Sequence, residues 1–193
     1  MNNIYASPRP TLDTTRLILR PMYLDDAARV QYLAGAREIA EMTGHMPHPY
    51  LDGMAEEWIG GQAAEWQRGE AVTFAITQRD TQTLIGAVSL IFYPEHHFAE
   101  LGYWIGIPYW NQGYMTEAAR AVLQFGFDAL HINRVYATHF ARNPASGRVM
   151  QKIGMTYEGT LRQHFLRWDR YEDLVYYGIL QDEWKNFNGG KTQ

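Results

Sequence analysis

The chain has 193 residues, 46% of them hydrophobic, a formal net charge of -4 and no cysteine. That length and apolar content suit one sizeable α/β domain with its own core, and argue against a second. Zero cysteine excludes disulfides, thiolate metal sites and a cysteine nucleophile, and the acidic balance argues against a broadly basic nucleic-acid surface, because neutralising phosphates takes clustered Lys and Arg.

Residues 1–13 carry prolines and no periodicity, and read as an irregular arm with no apolar core of signal-peptide length. No apolar run is long enough to span a bilayer, so the expectation is a soluble, cytoplasmic protein. Thr15-Arg-Leu-Ile-Leu-Arg20 alternates like a strand and is cut by Pro21. Asp25 and Asp26 can cap a helix to about Leu33, and Asp52 can start another to about Gln67. Gly44, His45, Pro47, His48 and Pro49 lie in the loop between them. Trp58 and Trp66 read as core positions on the second helix.

Val72 to Thr77, Thr83 to Tyr93 and Phe98 to Ile107 read as three meandering strands, the last stopped by Pro108. Met115, Ala118, Val122, Phe125 and Ala129 then recur at steps of three and four, giving a helix one apolar face. Arg134 to Phe140 is another strand, and Asn143-Pro144 opens a helix with a cap followed by proline, closed by Gly154. Two strand-like segments, Thr156 to Phe165 and Tyr171 to Leu180, are joined by Arg167-Trp-Asp-Arg170. The order reads as mixed α/β around a central sheet, with an arm at 1–13, a single domain at 14–181 and a tail at 182–193.

The densest signal is Trp110-Asn-Gln-Gly-Tyr-Met-Thr-Glu-Ala118, where an apolar strand turns into a helix through Gly113. A helix N-terminus presents unpaired N–H groups and the positive end of the dipole, and glycine lets the backbone come close to an anion. A glycine that only permits tight strand–helix packing would look the same. Asn143-Pro-Ala-Ser146 adds an amide and a hydroxyl at a second helix N-terminus, where plain capping is the bland alternative. The histidines at 45, 48, 96 and 97 lack a third ligand at metal spacing, so no metal is expected.

These pieces, in this order, resemble the GNAT N-acetyltransferases, and within them the branch of the RimJ/RimL ribosomal-protein alanine acetyltransferases. Thr15 to Arg20, Ile85-Gly86, Ala99-Glu-Leu-Gly-Tyr-Trp104, Gly113 to Ala118, Asn143 to Ser146 and Lys152-Ile-Gly-Met-Thr-Tyr-Glu-Gly159 carry the resemblance. It implies a mixed, mostly antiparallel sheet with splayed strands flanked by helices, and acetyl-CoA as co-substrate. It further implies pyrophosphate binding by Asn111, Gln112, Gly113, Tyr114, Met115 and Thr116, pantetheine pairing along Ile105 and Ile107, an Asn143 that fixes the pantetheine arm, and a Ser146 that protonates the departing thiolate. Trp110 matches the branch, whereas Met115 departs from the small residue usual in the loop.

Acetyl transfer needs the amine lone pair free, so a base or a water chain must take its proton. The glutamate that the branch can carry in the tail is missing from Arg162-Gln-His-Phe165, leaving His164, Glu100 or ordered water. The expected reaction is direct attack by a primary amine in a ternary complex. The acceptor is a protein N-terminus or a small amine, and the enzyme a monomer or homodimer. A non-catalytic acyl-CoA-binding sensor is the alternative.

Overall fold

The computed structural model describes residues 4–189. Its strands are β1 (Leu12–Asp13), β2 (Leu17–Arg20), β3 (Ala71–Gln78), β4 (Leu84–Tyr93), β5 (Phe98–Ile105), β6 (Arg134–Phe140), β7 (Thr156–Arg167) and β8 (Arg170–Leu180). They form one sheet in the order β1-β2-β3-β4-β5-β6-β8-β7. Every neighbouring pair is antiparallel except β5 and β6. Those two run parallel because helix α4 (Tyr114–Asp128) crosses over between them.

Alternation along each strand separates two apolar layers. On one face Ala99 and Leu101 of β5, Val135 and Ala137 of β6 and Ile179 of β8 pack against Ala118, Val122 and Phe127 of α4 and Met150 of α5 (Pro144–Lys152). On the other face Ala75, Ala87 and Trp104 meet Val30 and Leu33 of α1 (Ala27–Ala34), Ile39 of α2 (Arg37–Glu41) and Ala55 and Ile59 of α3 (Met54–Gln67).

Several expectations are corrected. The arm at 1–13 is not wholly irregular, since Leu12 and Asp13 pair with Leu19 and Ile18; residues 1–3 lie outside the described region. Asp52 does not cap α3, whose N-cap is Gly53 at φ 88°; its carboxylate accepts from Gln31 Nε2 at 2.8 Å instead. Asp26 is the N-cap residue of α1 as expected, but its carboxylate makes no capping bond there and binds Arg20 through both oxygens at 2.7 and 2.8 Å. Trp66 is core at 2% exposure while Trp58 is 36% exposed, because eight residues of α-helix leave the second position about 80° round from the first.

Two helices were not expected. The short α2 has no sequence period of its own to announce it. It is held by Arg167, whose guanidinium donates to Ala40 O at 2.6 Å and also to Gly44 O and Met46 O. Helix α6 (Gln181–Gly189) replaces most of the tail set at 182–193, of which residues 190–193 lie outside the described region. It anchors through Trp184, 2% exposed, whose ring stacks with Phe127 at 5.7 Å.

The strand expected to reach Ile107 ends at Ile105, because Ile107–Tyr109 closes into a 3₁₀ turn around Pro108. Across from Ile105 sits Gly86, where a Cβ would lie 2.4 Å from Trp104 O and 2.9 Å from Ile105 Cα. Only glycine lets β4 and β5 approach so closely. Among the described residues no helix is long and apolar enough to cross a membrane. Trp184→Ala should lower stability by about 3–5 kcal/mol, the usual cost of emptying a buried aromatic site, read as a lower urea midpoint with unchanged slope.

Candidate functional site

β5 and β6 pair over three positions only, Phe98 with Arg134, Ala99 with Val135 and Glu100 with Tyr136, and then part. Gly106 gives its N–H to Ile85 O on the β4 side at 2.8 Å. By strand alternation the N–H groups of Ile105 and Tyr103 turn the other way, toward the edge that β6 has left. Trp110 folds back over this end, its Nε1 donating to Ile105 O at 2.8 Å.

Beyond Trp110 the chain enters α4 through Asn111 at φ 59° and Gly113 at φ 77°. Left-handed residues in such a turn point successive N–H groups into one concavity. Among the described residues, the N–H groups of Asn111, Gln112, Gly113, Tyr114, Met115 and Thr116 meet no acceptor. With the α4 dipole behind them, unpaired N–H groups of this kind favour an anion. A Cβ at Gly113 would find ordinary room, its nearest neighbour being Arg16 Nη2 at 3.5 Å, so glycine is needed there for its φ.

Glu117 holds the loop from below. It accepts from Thr14 Oγ1 at 2.7 Å, Arg16 N at 2.8 Å and Arg16 Nε at 2.7 Å. Arg16 in turn donates to Gln112 O at 3.0 Å and lies over the Tyr114 ring. Burial pushes the Glu117 carboxyl up, but these hydrogen bonds and the Arg16 charge outweigh it and hold the carboxyl below its ordinary value of 4.5.

Helix α5 supplies the opposite wall. Asn143 is its N-cap, accepting the Ser146 N–H through Oδ1 at 3.3 Å. Capping and a role in the cleft are compatible, because among the described residues the Asn143 amide nitrogen donates to nothing. Ser146 Oγ lies 2.9 Å from Tyr103 Oη on β5. The two walls enclose a cleft of about 460 Å³, lined by Ile105, Asn111, Gly113, Tyr114, Met115, Thr116, Asn143 and Ser146 among the expected residues.

The remaining expected residues fall elsewhere. Gln112 does not line the cleft, and its side chain donates to Pro108 O at 2.8 Å instead. Ile107 is off the strand, its carbonyl already taken by Trp110 N at 3.1 Å. Glu100 sits where β5 and β6 part, on the sheet face opposite Tyr103, and accepts from Tyr136 Oη at 2.9 Å. Burial, its hydrogen bond to Tyr93 and the Glu100 charge all push that phenol up. His164 lines a separate depression with Arg162 on the outer strand β7 and Asp173 on β8. His45 and His48 pack against Phe165 and Trp168 rather than line the cleft.

Several lining residues were missed. Arg148 and Lys152, four apart on α5, put two cations on one wall; their helical spacing behind the Asn143 cap was the available signal. At the α2 end Glu38 is the one carboxylate among the lining residues described. Trp104, 8% exposed, lines the cleft with an indole N–H that has no partner. Nothing local to the sequence reveals Glu38 or Tyr103, since each reaches the cleft by tertiary packing. Among the described residues no group of three His, Cys, Asp or Glu is placed to hold a metal.

Residues 16–156 match the family model described as an acetyltransferase (GNAT) domain. The chain is 32% identical over 173 residues to the uncharacterized N-acetyltransferase YoaA of Bacillus subtilis (strain 168), covering 89% of this chain and 97% of that one. It is 27% identical over 183 residues to the [ribosomal protein uS5]-alanine N-acetyltransferase of Escherichia coli (strain K12), covering 92% and 94%. A GNAT-family acetyltransferase crystal structure from Bacillus anthracis superposes with a TM-score of 0.80 at 25% identity, covering 90% of this chain and 99% of that one.

Because the Glu117 carboxyl is held low, its stabilising bonds are fully made above the unfolded value and are lost as pH falls through the lower folded one. Glu117→Gln should therefore lower the melting temperature at pH 7, and the gap to the wild type should narrow on acidification from about pH 4.5 downward, as read by thermal denaturation across pH.

Proposed function

The chain belongs to the GNAT acetyltransferase family, and we propose that it carries out N-acetyl transfer from acetyl-CoA in the cleft between β5, α4 and α5, by direct attack of a primary amine in a ternary complex. The observation that carries this reading is the run of unpaired N–H groups at residues 111–116, five of whose residues line the same cleft as Ser146 and Ile105 of β5. The residues present fit the donor: a phosphate cradle at one end, a bare strand edge beside it, and the cations Arg148 and Lys152 for its anionic nucleotide part.

Acetyl-CoA supplies an activated acyl carbon and a thiolate leaving group. Residues 113–116 hold the pyrophosphate through backbone N–H groups, so Met115 in place of a small residue does not remove the donors. The bare edge of β5 holds the pantetheine arm, with Asn143 beside it, and the Ile105 N–H is kept to steady the charge that develops on the carbonyl oxygen. Ser146 gives its proton to sulfur as the carbon–sulfur bond breaks.

The acceptor enters at the α2 end, where Glu38 draws an ammonium and the unpaired Trp104 indole offers a donor. The cleft then carries two cations on its α5 wall for the donor and a carboxylate for the acceptor, within a largely apolar lining. Glu100 takes the amine proton through water, from the sheet face where β5 and β6 part, whereas His164 lines a separate depression. We take the enzyme to work in the cytoplasm, as a monomer or homodimer, on a protein N-terminus or a small amine.

The experiment is free-thiol release from acetyl-CoA with a panel of N-terminal peptides, amino acids, polyamines and aminoglycosides. Turnover with at least one amine is expected, and tight acetyl-CoA binding without turnover across the whole panel would overturn the reading. Asn143→Ala should raise the dissociation constant for acetyl-CoA about fivefold, the loss of roughly one hydrogen bond, and the Arg148→Glu, Lys152→Glu pair should raise it further with a shallower salt dependence, both by calorimetry. Glu100→Gln should lower kcat about tenfold or more and shift the rate toward higher pH, where more amine is already free, while His164→Ala should leave the pH–rate profile unchanged.

A further inference from the structure

Ser146 has an unusual companion. Tyr103 Oη lies 2.9 Å from Ser146 Oγ and 3.1 Å from the Ser146 carbonyl oxygen, so its one proton faces both oxygens of the serine, the hydroxyl being the nearer. Both residues line the cleft. The hydroxyl on β5 thus meets the hydroxyl on α5 at the level where the parted strand edge begins.

A serine hydroxyl is a poor acid, because the alkoxide it leaves is far more basic than a thiolate. We propose that Tyr103 is the positioning residue that makes Ser146 a competent proton donor, its phenol donating to Ser146 Oγ and turning the serine proton toward the cleft. The inference rests on the reading of Ser146 as the group that protonates sulfur. With the Tyr103 hydrogen on Oγ, the serine proton has no better acceptor than the ligand side, and accepting one hydrogen bond strengthens the one it gives.

The step balances without an outside reagent. The amine nitrogen forms a bond to the acyl carbon, and the carbon–sulfur bond breaks with its electron pair going to sulfur. Sulfur takes the Oγ proton while the Tyr103 proton moves onto Oγ. The proton lost by the amine passes through the base and water to the phenolate oxygen, restoring the pair. Burial pushes the Tyr103 phenol well above its ordinary value, which keeps it protonated and donating at neutral pH and makes any phenolate short-lived.

Tyr103→Phe keeps the ring and removes only the hydroxyl, so folding is expected to survive. The arrangement predicts an unchanged melting temperature, acetyl-CoA binding within about twofold of wild type by calorimetry, and a kcat about tenfold lower. Ser146→Ala should lower kcat by about a hundredfold, and the double variant should be no slower than Ser146→Ala alone. In the protein without ligand, a slowly exchanging tyrosine hydroxyl proton should be visible by NMR, absent in Tyr103→Phe and shifted in Ser146→Ala.

Wild-type kcat in Tyr103→Phe, or losses that multiply in the double variant, would overturn the role of Tyr103 and leave Ser146 standing. Wild-type kcat in Ser146→Ala would overturn the Ser146 reading, and with it any action of Tyr103 through that serine. Weakened acetyl-CoA binding or a lower melting temperature in Tyr103→Phe, with kcat intact, would reduce the phenol to packing.

Discussion

Two neighbouring strands that stop pairing in the middle of a sheet leave backbone donors and acceptors that something else must satisfy. In this protein β5 and β6 make three parallel pairs and then diverge, and most of the site follows from that divergence. The edge of β5 is left bare in an otherwise continuous eight-stranded sheet. Gly86 allows β4 to keep hold of β5 up to its last residue, so the opening falls on the β6 side alone. Helix α5 then fills the gap between the layers and brings Asn143 and Ser146 to the bare edge.

The donor end is rigid because its supports are charged and shared. Glu117 and Arg16 tie β2 to the first turn of α4, so the loop that presents its N–H groups cannot relax inward to satisfy them. Those groups stay unpaired, which is the preorganisation that a helix N-terminus needs to take an anion. The α2 end of the cleft is held differently: Arg167 of β7 clamps the carbonyls of α2 and the loop after it, and Arg142 bridges Glu172 and Glu41 O. Opposite ends of one cleft are thus fixed by separate networks, and sequence change at one can leave the other intact.

The legible parts of the fold were those whose signal is local. Strands β2 to β6 and β8, helix α4 and the cap of α5 announce themselves by alternation, by three-and-four spacing or by an Asn-Pro start. The illegible parts depended on partners far along the chain. Helix α2 is five residues long and gains its carbonyl partners from Arg167, and α6 exists because Trp184 finds Phe127. Ile107 looked like strand because its neighbours are apolar, but Pro108 turns it into a 3₁₀ corner.

Taken alone, the sequence determined the family, the strand–glycine–helix turn and the residues that need only their own backbone to act: Gly113 for its positive φ, the N–H groups after it, and Asn143 as a cap. Tertiary structure decided which side chains meet. It joined Tyr103 to Ser146 across two elements, brought Arg148, Lys152 and Glu38 to the two ends of one cleft, placed Glu100 where the strands part, and left His164 outside. The physical reason is range: a turn or a cap is set by dihedrals and hydrogen bonds within a few residues, whereas the reach of one side chain to another is set by how whole layers pack.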